Sequence, residues 1–286
     1  MMPDRNGTNV VSGKLNSWKE VAASWLPSVY GAYKHRKDFE QVQTYCMFIG
    51  YPRSGHSLIG SLLAAHPRIV IAHELNALKY IQAGFSRNQL WALILRNDNA
   101  FTNGGREWTG YKYAVPNQYQ GRFETLQVIG DKFGGLSTRK LLEKPKVLDR
   151  LQETVGVETR FVHVVRNPYD NITTHAFRNE FSLEEAIERY MRLCRGVAAV
   201  KERVGSDDVL DVRHESFIED PPETLRRSCE WLGVKADDDY LEDCSSIVFD
   251  SPRKTRFDGL WTSSLINDVR DRIAGFEWLK GYSYEN

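Results

Sequence analysis

Five short apolar runs, Thr44 to Ile49, Arg68 to Ala72, Thr125 to Ile129, Arg160 to Val165 and Asp208 to Val212, punctuate this chain. Helix-patterned stretches such as Ser182 to Ala199 lie between several of them. Short apolar runs without polar alternation suit strands buried on both faces. Strands alternating with helices predict a mainly parallel sheet covered on both sides, a three-layer α/β sandwich. In such a sheet ligands bind beyond the carboxyl ends of the strands, so the residues that follow each run are the ones to read for chemistry.

The chain has 286 residues and is 41% hydrophobic, enough apolar mass for a full core. No linker divides it, so residues 44–286 read as one domain behind an N-terminal arm, 1–43. Within the arm, residues 17–34 predict a short helix interrupted near Pro27. Residues 76–122 break the strand–helix alternation. They hold Trp91, Phe101, Trp108, Tyr111, Tyr113 and Tyr119, and read as a helical, aromatic insertion that packs on the body and walls an acceptor site.

The 38 Lys and Arg balance the 38 Asp and Glu, which argues against a protein that grips nucleic acid electrostatically. Cys46, Cys194, Cys229 and Cys244 form no C-x-x-C pair, so buried thiols are expected rather than a zinc site or a disulfide framework. Met1 to Asn16 has no apolar signal region, and no run of about 18 apolar residues occurs, so the expected location is cytoplasmic, without a membrane span. Fingerprints for dinucleotides (G-x-G-x-x-G) and for serine hydrolases (G-x-S-x-G) are missing. His73-Glu74-Leu75-Asn76-Ala77 is not a zinc H-E-x-x-H motif, because Ala77 stands where the second histidine belongs.

The first run is followed by Gly50-Tyr51-Pro52-Arg53-Ser54-Gly55-His56-Ser57 and then by the helical pattern of Ser57 to Ala65. This fits the phosphate loop G-x-x-x-x-G-K-[ST] except that His56 replaces the lysine. A strand-to-helix loop with two glycines offers free backbone N–H groups and a positive helix end to an anion. The fixed charge has moved to Arg53, and no strand-borne magnesium carboxylate is evident, which suits an anion that needs no metal. After the fourth run, Arg166 in Val165-Arg166-Asn167-Pro168 is placed for a second anion, with Thr174 as a hydroxyl donor in the following helix. Two anion grips at neighbouring strand ends imply a doubly phosphorylated nucleotide.

These stretches resemble the sulfotransferases that use 3'-phosphoadenosine 5'-phosphosulfate. The loop YPRSGHSLIGSLL is similar to the family's 5'-phosphosulfate segment, and VVRNPYDNITTHAF is similar to its 3'-phosphate segment. Leu210 to Val234 and the basic Ser251 to Arg256 (SPRKTR) match two further regions in order, so the resemblance spans about residues 44 to 286. It implies a P-loop NTPase-like fold, with Arg53, Ser54, Gly55, His56 and Ser57 on the 5'-phosphosulfate. Arg166, Thr174, Arg253, Lys254 and Arg256 fall on the 3'-phosphate, and the product is 3'-phosphoadenosine 5'-phosphate. Two departures stand out. Leu58 replaces an aromatic residue found near the adenine in cytosolic-type members, and Asp131-Lys132-Phe133 replaces the segment that carries their histidine base. This points to the branch resembling bacterial and carbohydrate sulfotransferases, in which a glutamate after the second strand is the base.

That glutamate is Glu74. His73 is its rival, and Lys132 is either a group that touches the transferring sulfuryl or an exposed lysine. The expected reaction is in-line transfer to the hydroxyl of a small-molecule, lipid or carbohydrate acceptor, with no metal and no nucleic-acid partner. A P-loop phosphotransferase is the alternative, weakened by His56 and the missing carboxylate. A nucleotide-binding module without chemistry would keep both anion grips and need no base.

Overall fold

A parallel sheet satisfies its backbone groups strand to strand, which frees both faces for apolar side chains. The computed structural model describes residues 6–286, with side chains from Trp18 onward. Its strands are β1 (Thr44–Gly50), β2 (Ile69–His73), a two-residue hairpin of β3 (Glu107–Trp108) and β4 (Tyr111–Lys112), β5 (Val128–Lys132), β6 (Glu158–Val165) and β7 (Val209–Arg213). Five of them form one all-parallel sheet in the order β2-β5-β1-β6-β7. Central β1 is buried along its whole length. Tyr45, Met47 and Ile49 face the helices Arg87–Asn103, Lys146–Val155 and Leu183–Val204. Cys46 and Phe48 face His56–Leu63, Pro221–Trp231 and Asp238–Ser245 on the other side. A third apolar cluster, around Tyr51 and Tyr169, lies beyond the strand ends and joins the helices Pro168–Asn179 and Ser263–Ile273.

All five apolar runs are strands, but the third is displaced. It was expected at Thr125 to Ile129, and β5 instead begins at Val128 and ends in the polar Asp131-Lys132. Hydropathy misses this end because Asp131 and Lys132 are polar and are buried on hydrogen-bond partners rather than on apolar contacts. Gly130 between them runs against β1 so closely that a Cβ there would lie 2.1 Å from the Cys46 carbonyl oxygen.

The N-terminal arm also differs from expectation. One helix, Asn6–Lys34, runs through Pro27 without interruption. Tertiary contacts outweigh the lost amide: Gly31 lies against Ala92, and the Ser28 hydroxyl accepts from Gln89 Nε2 at 3.2 Å while donating to the Trp25 carbonyl at 2.6 Å. Its outer side leaves Trp18, Leu26, Tyr30 and Tyr33 exposed. The expectation for Met1 to Asn16 falls outside the described residues as far as Arg5. Among the described residues no helix is long and apolar enough to cross a membrane.

The insertion divides into two parts. The helix Arg87–Asn103, opened by a Ser86/Gln89 capping box, buries Trp91 edge-on against Phe39 in the main core. The hairpin β3–β4 instead leaves Trp108 and Tyr111 partly exposed above the sheet edge.

Gly130→Ala should therefore lower stability at the upper end of the roughly 1–3 kcal/mol typical of overpacking, because the obstacle is sheet backbone rather than a movable side chain. Urea denaturation followed by tryptophan fluorescence checks this, and an unchanged midpoint would contradict the packing described.

Candidate active site

The loop after β1 is held from beneath. Tyr51 is fully buried, stacks on Tyr190 with ring centroids 4.4 Å apart, and accepts hydrogen bonds from Trp278 Nε1 at 2.9 Å and Cys194 Sγ at 3.4 Å. The Gly50 amide donates to Thr138 Oγ1 at 2.7 Å. Above this footing the backbone turns left-handed at Arg53 (φ 67°) and Gly55 (φ 95°). A side chain at Gly55 is excluded, since a Cβ would meet His214 Nδ1 at 2.4 Å. Within the described residues the amides of Arg53, Ser54 and Gly55 make no backbone hydrogen bond. The first amides of the helix His56–Leu63 have no intrahelical partner either, so the loop forms a nest of N–H groups suited to an anion.

The Ser54 hydroxyl donates to the Tyr51 carbonyl at 3.0 Å and lies 3.3 Å from His56 Nδ1. Burial, with Lys132 beside it, pushes the His56 imidazole down to about 3. His56 is thus neutral and acts as a hydrogen-bonding group, whereas the lysine of an NTP-binding loop brings fixed charge.

Lys132 is the centre of the cluster. It is 1% exposed and reaches Ser57 Oγ at 3.0 Å, Glu74 Oε1 at 3.1 Å and His73 Nε2 at 3.5 Å. An ammonium has three N–H donors, and three acceptors surround this one. Burial drives it down to about 8, opposed by Glu74. The exposed-lysine reading of Lys132 is therefore wrong. His73 stacks on Phe101 with centroids 3.9 Å apart and meets the edge of Trp108. Burial and Lys132 push it down to about 2, which leaves it a poor proton acceptor at neutral pH. Glu74, partly open to solvent, is the carboxylate at this edge.

The second anion grip follows β6. Arg166 is 7% exposed, and its guanidinium joins the two loops, donating through Nη1 to the Arg53 carbonyl at 3.3 Å and through Nη2 to the Arg253 carbonyl. Its Nε is buried without a partner. Thr174 Oγ1 lies 2.9 Å from Thr255 Oγ1, so the helix Pro168–Asn179 and the basic loop meet at paired hydroxyls. Arg253 is exposed and 3.4 Å from Asp258, and Lys254 is exposed. Arg256 does not join them as a surface cation. It is 1% exposed and paired at 2.6 Å with buried Asp170, whose other oxygen accepts from the Arg256 amide at 2.8 Å. A buried guanidinium requires such a partner, and Arg256 fixes the loop from inside.

The sequence model of the sulfotransferase family matches residues 47–238. The chain belongs to the sulfotransferase family. Solved structures with the same fold include sulfotransferase STF9 from Mycobacterium avium, with a TM-score of 0.54, 13% identity, and coverage of 92% of this chain and 85% of that one. Sulfotransferase STF1 from Mycobacterium tuberculosis H37Rv matches with a TM-score of 0.52 at 14% identity, over 90% of this chain and 83% of that one. The sulfotransferase domain from the curacin biosynthetic pathway matches at 0.51 and 12% identity, over 82% of this chain and 97% of that domain. No curated protein matches the sequence.

In this sulfotransferase the aromatic insertion reaches the site through Phe101 and Trp108, which pack on His73. Tyr111 continues the wall to Phe249 at 5.7 Å. An open depression of about 350 Å³ is lined by the hairpin's own residues, Glu107 to Lys112. The hairpin is anchored by Arg106, whose guanidinium pairs with Asp98 at 2.8 Å, both almost fully buried.

Three residues that matter here were not singled out from the sequence. Asp131 is fully buried and accepts from the amides of Leu75 at 3.1 Å and Ala77 at 2.7 Å. Asp170 lies inside the second anion segment, but its partner is 86 residues away, beyond the reach of local pattern. His214 packs under Gly55, where burial and then Arg166 push it down to about 3. The one available signal was Asp131, a carboxylate at the end of an apolar run on a strand buried on both sides.

Asp170→Ala leaves Arg256 buried without its counter-charge and should cost about 3–5 kcal/mol. The measurement is the urea midpoint, and a loss below about 1 kcal/mol would show that the pair is not the anchor of the basic loop.

Proposed function

We propose that this sulfotransferase moves a sulfuryl group from 3'-phosphoadenosine 5'-phosphosulfate to the hydroxyl of a small-molecule acceptor, with Glu74 taking the proton. The observation that carries this reading is the single hydrogen-bonded chain Glu74–Lys132–Ser57. It connects the carboxylate at the end of β2 to the first turn of the phosphate-loop helix. Base and anion nest therefore share one buried cation.

The residues fit such a donor. The amides of the Arg53–Ser57 loop and neutral His56 suit the 5'-phosphosulfate, and Arg166, with its buried unpartnered Nε, suits the 3'-phosphate. Thr174, Arg253 and Lys254 line the same side, with Arg256 holding their loop through Asp170. When bound, the donor supplies the sulfuryl group and a phosphate leaving group. Glu74 removes the proton as the acceptor oxygen bonds to sulfur. Lys132 and the loop amides stabilise negative charge on the sulfuryl oxygens and on the departing phosphate oxygen. His73, neutral and stacked, holds Lys132 from the acceptor side. The aromatic wall of Phe101, Trp108 and Tyr111 favours an acceptor with an apolar body.

Glu74→Gln should lower kcat by about 10²–10⁴-fold while binding of 3'-phosphoadenosine 5'-phosphate, read by thermal shift, stays intact. His73→Asn should retain far more activity. The reverse order of the two variants would assign the base to His73.

Lys132 must carry its proton to act, and its folded-state value is depressed to about 8. Turnover should therefore be sustained below pH 8 and decline as pH rises through about 8. A kcat profile from pH 6.5 to 9.5 tests this. Stabilisation by ATP·Mg²⁺ in preference to 3'-phosphoadenosine 5'-phosphate would overturn the donor assignment.

A further inference from the structure

The last residues of β5 alternate across the sheet, and each side of the alternation does something different. Lys132 points to the phosphate-loop helix, where a Cβ on Gly60 would collide with its side chain. Asp131, one residue earlier, points to the opposite layer and receives the amides of Leu75 and Ala77. Those amides flank Asn76, and the segment between β2 and the helix Ala77–Gln82 is left-handed twice, at Glu74 (φ 57°) and Asn76 (φ 65°). Left-handed backbone at non-glycine residues persists only where its surroundings dictate it. Two further bonds hold it: the Glu74 amide donates to the Lys132 carbonyl at 2.9 Å, and Lys140 Nζ, from the helix Gly134–Glu143, donates to Asn76 Oδ1 at 2.6 Å.

We infer that Asp131, assisted by Lys140, is a positioning residue for the transfer step: it clamps the double left-handed turn that aims the Glu74 carboxylate at Lys132. A carboxylate is required because both incoming groups are N–H donors, and only a side chain with two acceptor oxygens satisfies both. An asparagine of the same shape turns an NH₂ toward one of them and leaves that amide facing a donor. The inference rests on the reading of Glu74 as proton acceptor. It adds that this carboxylate is productive only while the turn is locked from behind, by residues that never touch either substrate.

The test is steady-state kinetics on the full-length chain with 3'-phosphoadenosine 5'-phosphosulfate and an acceptor found by screening, comparing Asp131→Asn, Lys140→Met and Glu74→Gln. For Asp131→Asn the expected result is a fall in kcat of at least tenfold. The donor KM should stay within about threefold, and 3'-phosphoadenosine 5'-phosphate should still raise the melting temperature, which shows the anion nest intact. Lys140→Met, nearer the surface, should lower kcat in the same direction by a smaller factor. If Asp131→Asn does not fold, Lys140→Met alone decides, and unchanged kcat there overturns the clamp. Wild-type kcat in a folded Asp131→Asn protein overturns it as well, as does a loss expressed only in donor KM. Full activity of Glu74→Gln would sink the underlying reading instead, whatever the Asp131 variant does.

Discussion

A lysine ammonium with almost no access to solvent governs the arrangement of everything at the sheet edge. Taking such a charge out of water is costly unless each of its protons finds an acceptor. Lys132 finds three, and each acceptor is thereby fixed: Ser57 at the start of the phosphate-loop helix, Glu74 beyond β2, and the imidazole of His73 through Nε2. The parallel sheet makes this meeting possible. In-register pairing of β2 with β5 sets His73 beside Lys132, and β5 lies next to β1, whose end carries the anion nest.

Buried opposite charges do a second job in this fold: they fasten loops that apolar packing does not reach. Arg256 with Asp170 holds the basic loop, and Arg106 with Asp98 holds the hairpin. In both cases the cation is committed to an internal partner. The cations offered to the donor in the proposed reading are Lys132, Arg53, Arg166, Arg253 and Lys254. The even overall charge of the chain thus coexists with Arg53, Arg166 and Arg253 gathered on adjoining loops.

The sheet was legible in the sequence because parallel strands buried on both sides leave unbroken apolar runs, and the phosphate loop because its glycines are needed for backbone geometry. The positions of Arg166, directly after a strand, and Thr174, in the helix that follows, were legible in the same way. What escaped detection depended on partners distant in the chain. The polar end of β5 looked like loop because Asp131 and Lys132 are satisfied by residues of the Leu75–Ala77 turn and the phosphate-loop helix. The resemblance grouped Arg256 with the 3'-phosphate cations, and its ion pair escaped notice because nothing nearby announces Asp170. Pro27 suggested a break because propensity carries no knowledge of Gly31 resting on Ala92.

The stacking of Phe101 on His73 ties together two things that enzymes often keep apart. Trp108 touches the same imidazole, and the imidazole touches the ammonium. The wall proposed for the acceptor and the buried ammonium are thus a single packed column. A substitution that reshapes this wall therefore also disturbs the imidazole against which Lys132 rests, so the aromatic residues and the ammonium cannot be altered independently.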